Sequence, residues 1–236
     1  MRAARALPRM AGSARLGRPK GATAEQTRER ILDTAEAFFA DGGYDGTSIR
    51  EIADGAGIGL AVVSYHFGPK EDLFDAVIAR RAGVMNEQRA EALSDAKAEA
   101  GDEGIAVATL VRGYVAPFVG YALQGDDGWR NYAVLMGRLA NSPRGTAVIA
   151  RHYDATAQAY ISALINSLPD ADRFALIEGF MSMVSSMLFI CASTGRLGSL
   201  AEKFGAPLPD SHVFENLVKF NTAGLLALVA QKKGQS

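Results

Sequence analysis

The sequence predicts an all-α protein built as a small N-terminal helical unit followed by a larger helical bundle. Three observations predict it. Apolar residues recur at three- and four-residue spacing along most of the chain. No stretch alternates with the period of two that a half-buried strand requires. Gly and Pro stand where the helical runs break. With 236 residues and 48% apolar content there is enough material to bury one or two ordinary cores.

The elements follow in order. Residues 1–22 form a flexible basic arm without an apolar run, unlike a secretory signal. Thr23 and Gln26 have capping-box spacing, and Ile31, Leu32, Ala35, Phe38 and Phe39 then mark one helical face that ends at Gly42-Gly43. Ser48 and Glu51 repeat that spacing at the start of a second helix, which begins at Thr47 or Ser48 and turns Ile52, Ala53 and Ala56 inward. Gly55–Gly59 breaks the chain. A third helix spans Leu60–Phe67 and stops at Gly68-Pro69, a helix-ending residue followed by one that cannot continue the turn. A fourth begins at Lys70 and runs to about Ala82, with Glu71 and Asp72 at its positive end. Longer helices are expected near 84–100, 104–124, 127–141, 144–167, 170–195 and 211–231. The division is therefore 23–81 for the first unit and 82–236 for the second.

The net charge of −1 hides an asymmetry. Residues 1–20 carry +6, residues 21–81 carry −5 and residues 82–236 carry −2. The positive field is thus concentrated ahead of the first helix. Met10 is an alternative start that would keep Arg15, Arg18 and Lys20.

Two short helices joined by a tight Gly-containing turn, with a third helix before them, form a helix-turn-helix whose second member enters a DNA major groove. The run GGYDGTSIREIADGAGIGLAVVSYHFGPKEDLFDAVI closely resembles the N-terminal module of the TetR family of regulators. It has Gly43, Thr47, Ile52, Ala53, Ala56, Gly57, Tyr65, His66, Phe67, Lys70, Glu71 and Leu73 in the family positions, and the likeness covers about Thr23–Ile78.

Residue chemistry at this unit is specific. Thr47 and Ser48 stand at a helix N-terminus, where free N–H groups and a hydroxyl suit a phosphate oxygen. Arg50, in the first turn, suits phosphate or a base edge. Gly59, Leu60, Ala61, Ser64 and Tyr65 are the groove-facing residues of the third helix. That helix holds no Arg, Lys, Asn or Gln, so its hydrogen-bond readout of bases is thin, and thymine-methyl contacts by Leu60 and Ala61 gain weight. The resemblance implies that Tyr65 and His66 lie against the DNA backbone and that Lys70 is a phosphate-binding lysine. Arg18 and Lys20 supply local positive charge for phosphates or a minor groove.

The resemblance further implies that 82–236 dimerises and encloses a small-molecule pocket. The helices near 170–195 and 211–231 are too apolar to stand alone at a surface, and a second copy would cover them. The 17 uncharged residues between Glu178 and Arg196 are short of a membrane span and are read as a buried helix, with no membrane partner. Candidate pocket residues are Tyr114, Phe118, Tyr121, Trp129, Tyr132, Met136, His152, Phe180, Met183, Met187 and Phe189, with Arg130, Arg138 or His152 meeting any anionic group. The effector expected is small and hydrophobic or amphipathic.

Other classes fit less well. Gly12–Pro19 has glycine spacing like a P-loop but lacks the Lys-Ser/Thr pair and a preceding strand. No GxSxG occurs, the three histidines lie far apart, and Cys191 is the single cysteine, so neither enzyme, cofactor nor metal site is expected, and a reducing cytoplasm fits. The expectation is a homodimeric repressor that binds palindromic double-stranded operator DNA and releases it on binding ligand. A DNA-binding regulator not controlled by a small ligand, or an activator, remains open from sequence.

Overall fold

A computed structural model describes residues 23–101, 104–192, 195–206 and 210–230. Arg18 and Lys20 lie outside the described residues. Among them the regular elements are ten helices and no strand.

The first three helices are α1 (Ala24–Gly42), α2 (Ile49–Gly55) and α3 (Leu60–Phe67). Their ends follow local chemistry. Gln26 N–H donates to Thr23 Oγ1 at 3.2 Å while Thr23 N–H donates to Gln26 Oε1 at 2.9 Å, a reciprocal cap. Ser48 and Glu51 form the same pair at α2. Gly57, at φ +63°, makes the turn into α3 in a conformation that side chains resist, and Gly68 ends α3 at φ +72°. Ile31, Leu32, Phe39, Ile52, Val63 and Leu73 are buried together as the unit's core.

α4 (Lys70–Ala100) is a single 31-residue helix. The expected break after Ala82 does not occur. Gly83 costs a helix interior about 1 kcal/mol, but buried Ala82 and Met85 flank it and tertiary packing holds the helix through. The border drawn at 81/82 therefore falls inside one rigid element. Beyond it lie α5 (Val107–Gln124), α6 (Asp127–Leu139), α7 (Pro143–Ser167), α8 (Arg173–Cys191), α9 (Arg196–Lys203) and α10 (Asp210–Ala230). α5 starts later than its expected position near 104 because Gly104 has φ +79°. The helix expected over 170–195 ends at Cys191, and α9 follows as a separate element.

α5 is central: α4, α6, α7, α8 and α10 all pack on it. α1 packs on α6, so the N-terminal unit meets the bundle through a second surface besides α4. At that seam Glu36 is fully buried. It accepts from Arg81 Nε at 3.0 Å and Nη2 at 2.8 Å, and from Arg80 Nη2 at 3.2 Å. The Arg81 guanidinium also lies 4.4 Å from the Trp129 ring of α6. Gly128 makes this approach feasible, since a Cβ there would fall 2.2 Å from Arg81 Nη2.

α8 is long and apolar enough to cross a membrane by length and composition. It is not wholly buried, as its sequence had led one to expect. Leu176, Phe180, Met183 and Met187 face the bundle, while Phe174, Ile177, Met181 and Phe189 form an exposed stripe on the opposite side. Phe220, 76% exposed, and Leu226 continue an apolar surface on α10.

Candidate nucleic-acid interface and internal cavity

The sequence-selected residues of the N-terminal unit divide by exposure. Ser48 and Arg50 are exposed at the start of α2, and Gly59, Leu60, Ala61, Ser64 and Tyr65 are exposed on α3, Tyr65 to 87%. His66 is half-buried beside Tyr65, their rings 5.5 Å apart edge to face. Phe67 turns into the core.

Thr47 behaves differently. It is 4% exposed, and its hydroxyl lies 3.0 Å from the Phe38 carbonyl and 2.9 Å from the Gly43 carbonyl. The hydroxyl therefore ties the α1–α2 turn inward, and Ser48 is the residue that caps α2.

Lys70 opens α4 with its Nζ 4.2 Å from the Tyr44 ring, and Arg144 of α7 lies 3.9 Å from the same ring. Tyr44 thus holds two cations, one from each part of the molecule. Arg144 also reaches Asp45 at 3.7 Å. The Ser48 hydroxyl and backbone hold the Glu51 carboxyl below its usual range, with a smaller pull from the Lys70 ammonium. Tyr44 and Arg144 were not singled out in the sequence, since an isolated Tyr and an Arg a hundred residues later carry no periodic signal.

In the bundle a cavity of about 1000 Å³ lies between α4, α5, α6, α7 and α8. Of the residues named from sequence, Tyr114, Phe118, Met136, Met187 and Phe189 line it, and Arg138 lies at its exposed rim. Val134, Ile149, Val184 and Leu188 extend the apolar wall. Exposed Met181 and Phe189 place its edge on the outer side of α8.

The remaining expected pocket residues are engaged elsewhere. Tyr121 stacks on Trp129 with ring centroids 4.0 Å apart and accepts from Gln88 Nε2, while Trp129 belongs to the seam under Arg81. Arg130 folds back onto the Gly125 carbonyl and Asp127 at the start of α6. His152 pairs with Asp75 at 2.9 Å, tying α7 to α4. Phe180 packs edge to face on Tyr114 behind the wall, and Met183 is buried on α8 without lining the space. Tyr132 is fully buried one layer back, its hydroxyl 2.5 Å from that of Tyr153, which does line the cavity. Burial pushes the Tyr153 phenol up to about 12 and Tyr132 well above its ordinary value, so both remain neutral at physiological pH.

Arg89 is the feature that sequence reading missed. It lines the cavity yet is only 1% exposed. Its Nε donates to the Tyr114 carbonyl at 2.9 Å and its guanidinium lies 3.8 Å from the Tyr114 ring. Nη2 has only the Met187 sulfur at 3.9 Å, and no carboxylate lies within 4.0 Å among the described residues. An Arg in a stretch rich in Ala and Glu reads as a solvated helix residue, and nothing in its spacing distinguishes it from Arg80 or Arg81.

Comparison with known proteins agrees with this architecture. Residues 31–77 match the family described as bacterial regulatory proteins, tetR family, and residues 112–224 match the tetracyclin repressor-like C-terminal domain. A transcriptional repressor, AcnR of Corynebacterium glutamicum, is 36% identical over 61 residues, 26% of this chain and 32% of that protein. The regulator SrpR of Pseudomonas putida is 42% identical over 67 residues, 28% of this chain and 31% of that protein. These matches span about a third of each relative's length. Among solved structures, HlyIIR, a hemolysin II transcriptional regulator, superposes with a TM-score of 0.56 at 23% identity, covering 84% of this chain and 97% of that one. A TetR-like regulator from Rhodococcus sp. RHA1 does so at 0.57 and 21%, covering 85% and 96%.

Proposed function

Because the chain belongs to the TetR family of bacterial transcriptional regulators, we propose that it is a cytoplasmic, homodimeric repressor of DNA whose grip on a palindromic operator is released by a small hydrophobic or amphipathic effector. α3 enters the major groove with Leu60, Ala61, Ser64 and Tyr65, while Ser48, Arg50, His66 and Lys70 meet phosphates. The base code read by α3 is poor in hydrogen bonds, so DNA shape contributes much of the selectivity. Arg18 and Lys20 add charge from the arm, where the acidic surface of residues 21–81 offers little. Relatives named as transcriptional repressors support the sign of regulation.

The observation that carries the ligand-responsive reading is α4. One unbroken helix presents Lys70 to the DNA side and Arg89 to the cavity, about 28 Å apart at 1.5 Å per residue. α7 provides a second link, with Arg144 on Tyr44 at one end and Thr146, Ile149 and Tyr153 along the cavity. An effector that fits the cavity in only one setting of these helices shifts the separation of the two α3 helices in the dimer away from the roughly 34 Å of successive major grooves. The exposed stripes of α8 and α10 are the dimer face, and a second copy there also closes the outer edge of the cavity.

The test begins with duplexes selected from a random pool by the purified protein. Lys70→Ala should weaken binding to the selected operator, and removing residues 1–20 should flatten its salt dependence. Phe220→Glu should shift the sedimenting species from dimer to monomer. A protein that selects no duplex refutes the reading, and a selected duplex released by no cavity-binding compound leaves a regulator without ligand control.

A further inference from the structure

The cavity has a charge that no carboxylate among the described residues balances. Arg89 sits in its wall, withdrawn from water, with apolar groups on most sides. A buried cation of this kind is costly unless an anion meets it. The tyrosines around it do not serve, since burial keeps the Tyr153, Tyr160 and Tyr132 phenols protonated. Asp154, the carboxylate among the cavity's lining residues, is exposed at the rim and forms no ion pair with Arg89. Glu36, the buried carboxylate of the seam, is taken by Arg80 and Arg81.

Arg89 is also held in place. Pro117 lies inside α5 and has no N–H to offer the Gly113 carbonyl four residues earlier, a local disturbance that adjoins Tyr114. The Tyr114 carbonyl accepts from Arg89 Nε, and the Tyr114 ring lies against the guanidinium face. The plane and direction of the guanidinium are thereby set by α5, while Nη1 has no acceptor in the protein and Nη2 has only a thioether, among the described residues. Two parallel N–H donors in a fixed fork match the two oxygens of a carboxylate. At the rim, Arg138 forms no ion pair among the described residues and adds positive potential at the entrance.

We propose that the effector is an amphipathic carboxylate, its carboxyl group bound by the free edge of Arg89 and its apolar body lying along Phe118, Val134, Met136 and Ile149. This rests on the effector reading above and adds its chemical class. It also places the anion on α4, the helix that carries Lys70, so the head group acts on the DNA unit through one rigid element.

The test is calorimetric titration of the full-length protein with straight-chain carboxylates from hexanoate to hexadecanoate and with 4-phenylbutyrate, each against its methyl ester. Acids should bind about 10- to 100-fold more tightly than esters, the range of a charge-assisted hydrogen bond. Arg89→Met should remove that preference while ester binding and the melting curve stay close to wild type, and Arg89→Lys should recover part of it. Equal affinity of acids and esters for the wild-type protein overturns the proposal, as does a complete lack of acid binding or undiminished acid binding by Arg89→Met. Operator release is scored separately on a duplex selected in vitro. Acids that bind without releasing DNA refute the effector role but leave the ligand class standing, and neutral compounds that release DNA where acids do not bind refute only the ligand class.

Discussion

Arg81 and Arg89 lie two turns apart on α4, and both guanidiniums are largely withdrawn from water, yet their surroundings differ in kind. Arg81 forms a two-pronged bond with the fully buried Glu36 and rests on Trp129. Arg89 has a carbonyl, a thioether and two tyrosine rings, and no anion among the described residues. The first arrangement is complete within the chain and joins two parts of the molecule. The second is complete only when something else enters. The same residue type on the same helix is thus a structural clamp at one position and, on the proposal above, a recognition group at the other, and the difference lies in what the neighbouring helices bring to it.

Substitutions on and around α4 separate the two arginines. The largest effect is expected from Arg81→Met, which leaves Glu36 buried with a single arginine contact. Urea denaturation should show a loss of about 3 kcal/mol. Gly128→Ala attacks the same clamp from α6 by placing a methyl group where Arg81 Nη2 lies, and should cost about 1–3 kcal/mol in the same assay. Arg89→Met is the opposing case. It removes an unpaired buried charge as well as the bond to Tyr114, and stability should stay within about 1 kcal/mol of wild type or rise. A loss as large as that of Arg81→Met would erase the distinction between the two sites.

The smallest effect at neutral pH, and one that appears only in alkali, comes from the groups around Arg89. Burial raises the Tyr153 and Tyr160 phenols from 10.0, and the Cys191 thiol from 9.0, each to about 12. Below about pH 8 these groups are protonated in both folded and unfolded chains and leave stability unaltered. Between about pH 8 and 12 the unfolded chain releases protons that the folded chain retains, first from Cys191 and then from the tyrosines, so stability falls as pH rises through that window. Arg89 pulls the Tyr153 phenol downward against the stronger effect of burial. Arg89→Met should therefore steepen the alkaline loss, and Tyr153→Phe should flatten it. Denaturation midpoints measured across pH 9 to 12 check both, and an unchanged slope in both variants would show that Arg89 and Tyr153 do not share a field.

Much of the N-terminal unit was legible because its signals are local. Capping pairs such as Thr23 with Gln26 and Ser48 with Glu51 act over three residues, and Gly68-Pro69 ends a helix whatever surrounds it. The exposed face of α3 follows from the same helical period. Thr47 was harder, because whether its hydroxyl faced a phosphate or the Phe38 carbonyl depended on how α1 returns past the turn. The cavity was legible only as composition. Tyr114, Phe118, Met136 and Met187 were found among aromatic and Met residues of which several others, including Phe180 and Met183, fill ordinary core.

By itself, then, the sequence determined the helical class, the position and limits of the helix-turn-helix, the family likeness and the surplus of positive charge in the arm, since each rests on neighbours within a few residues or on simple counting. Tertiary structure alone decided that α4 passes unbroken from one part to the other, that α8 keeps one apolar face outward, and that Arg81 meets an anion where Arg89 meets none among the described residues. Those outcomes depend on which distant helices pack together. Burial and pairing of a charge are properties of the space around it, and no local pattern along the chain encodes them.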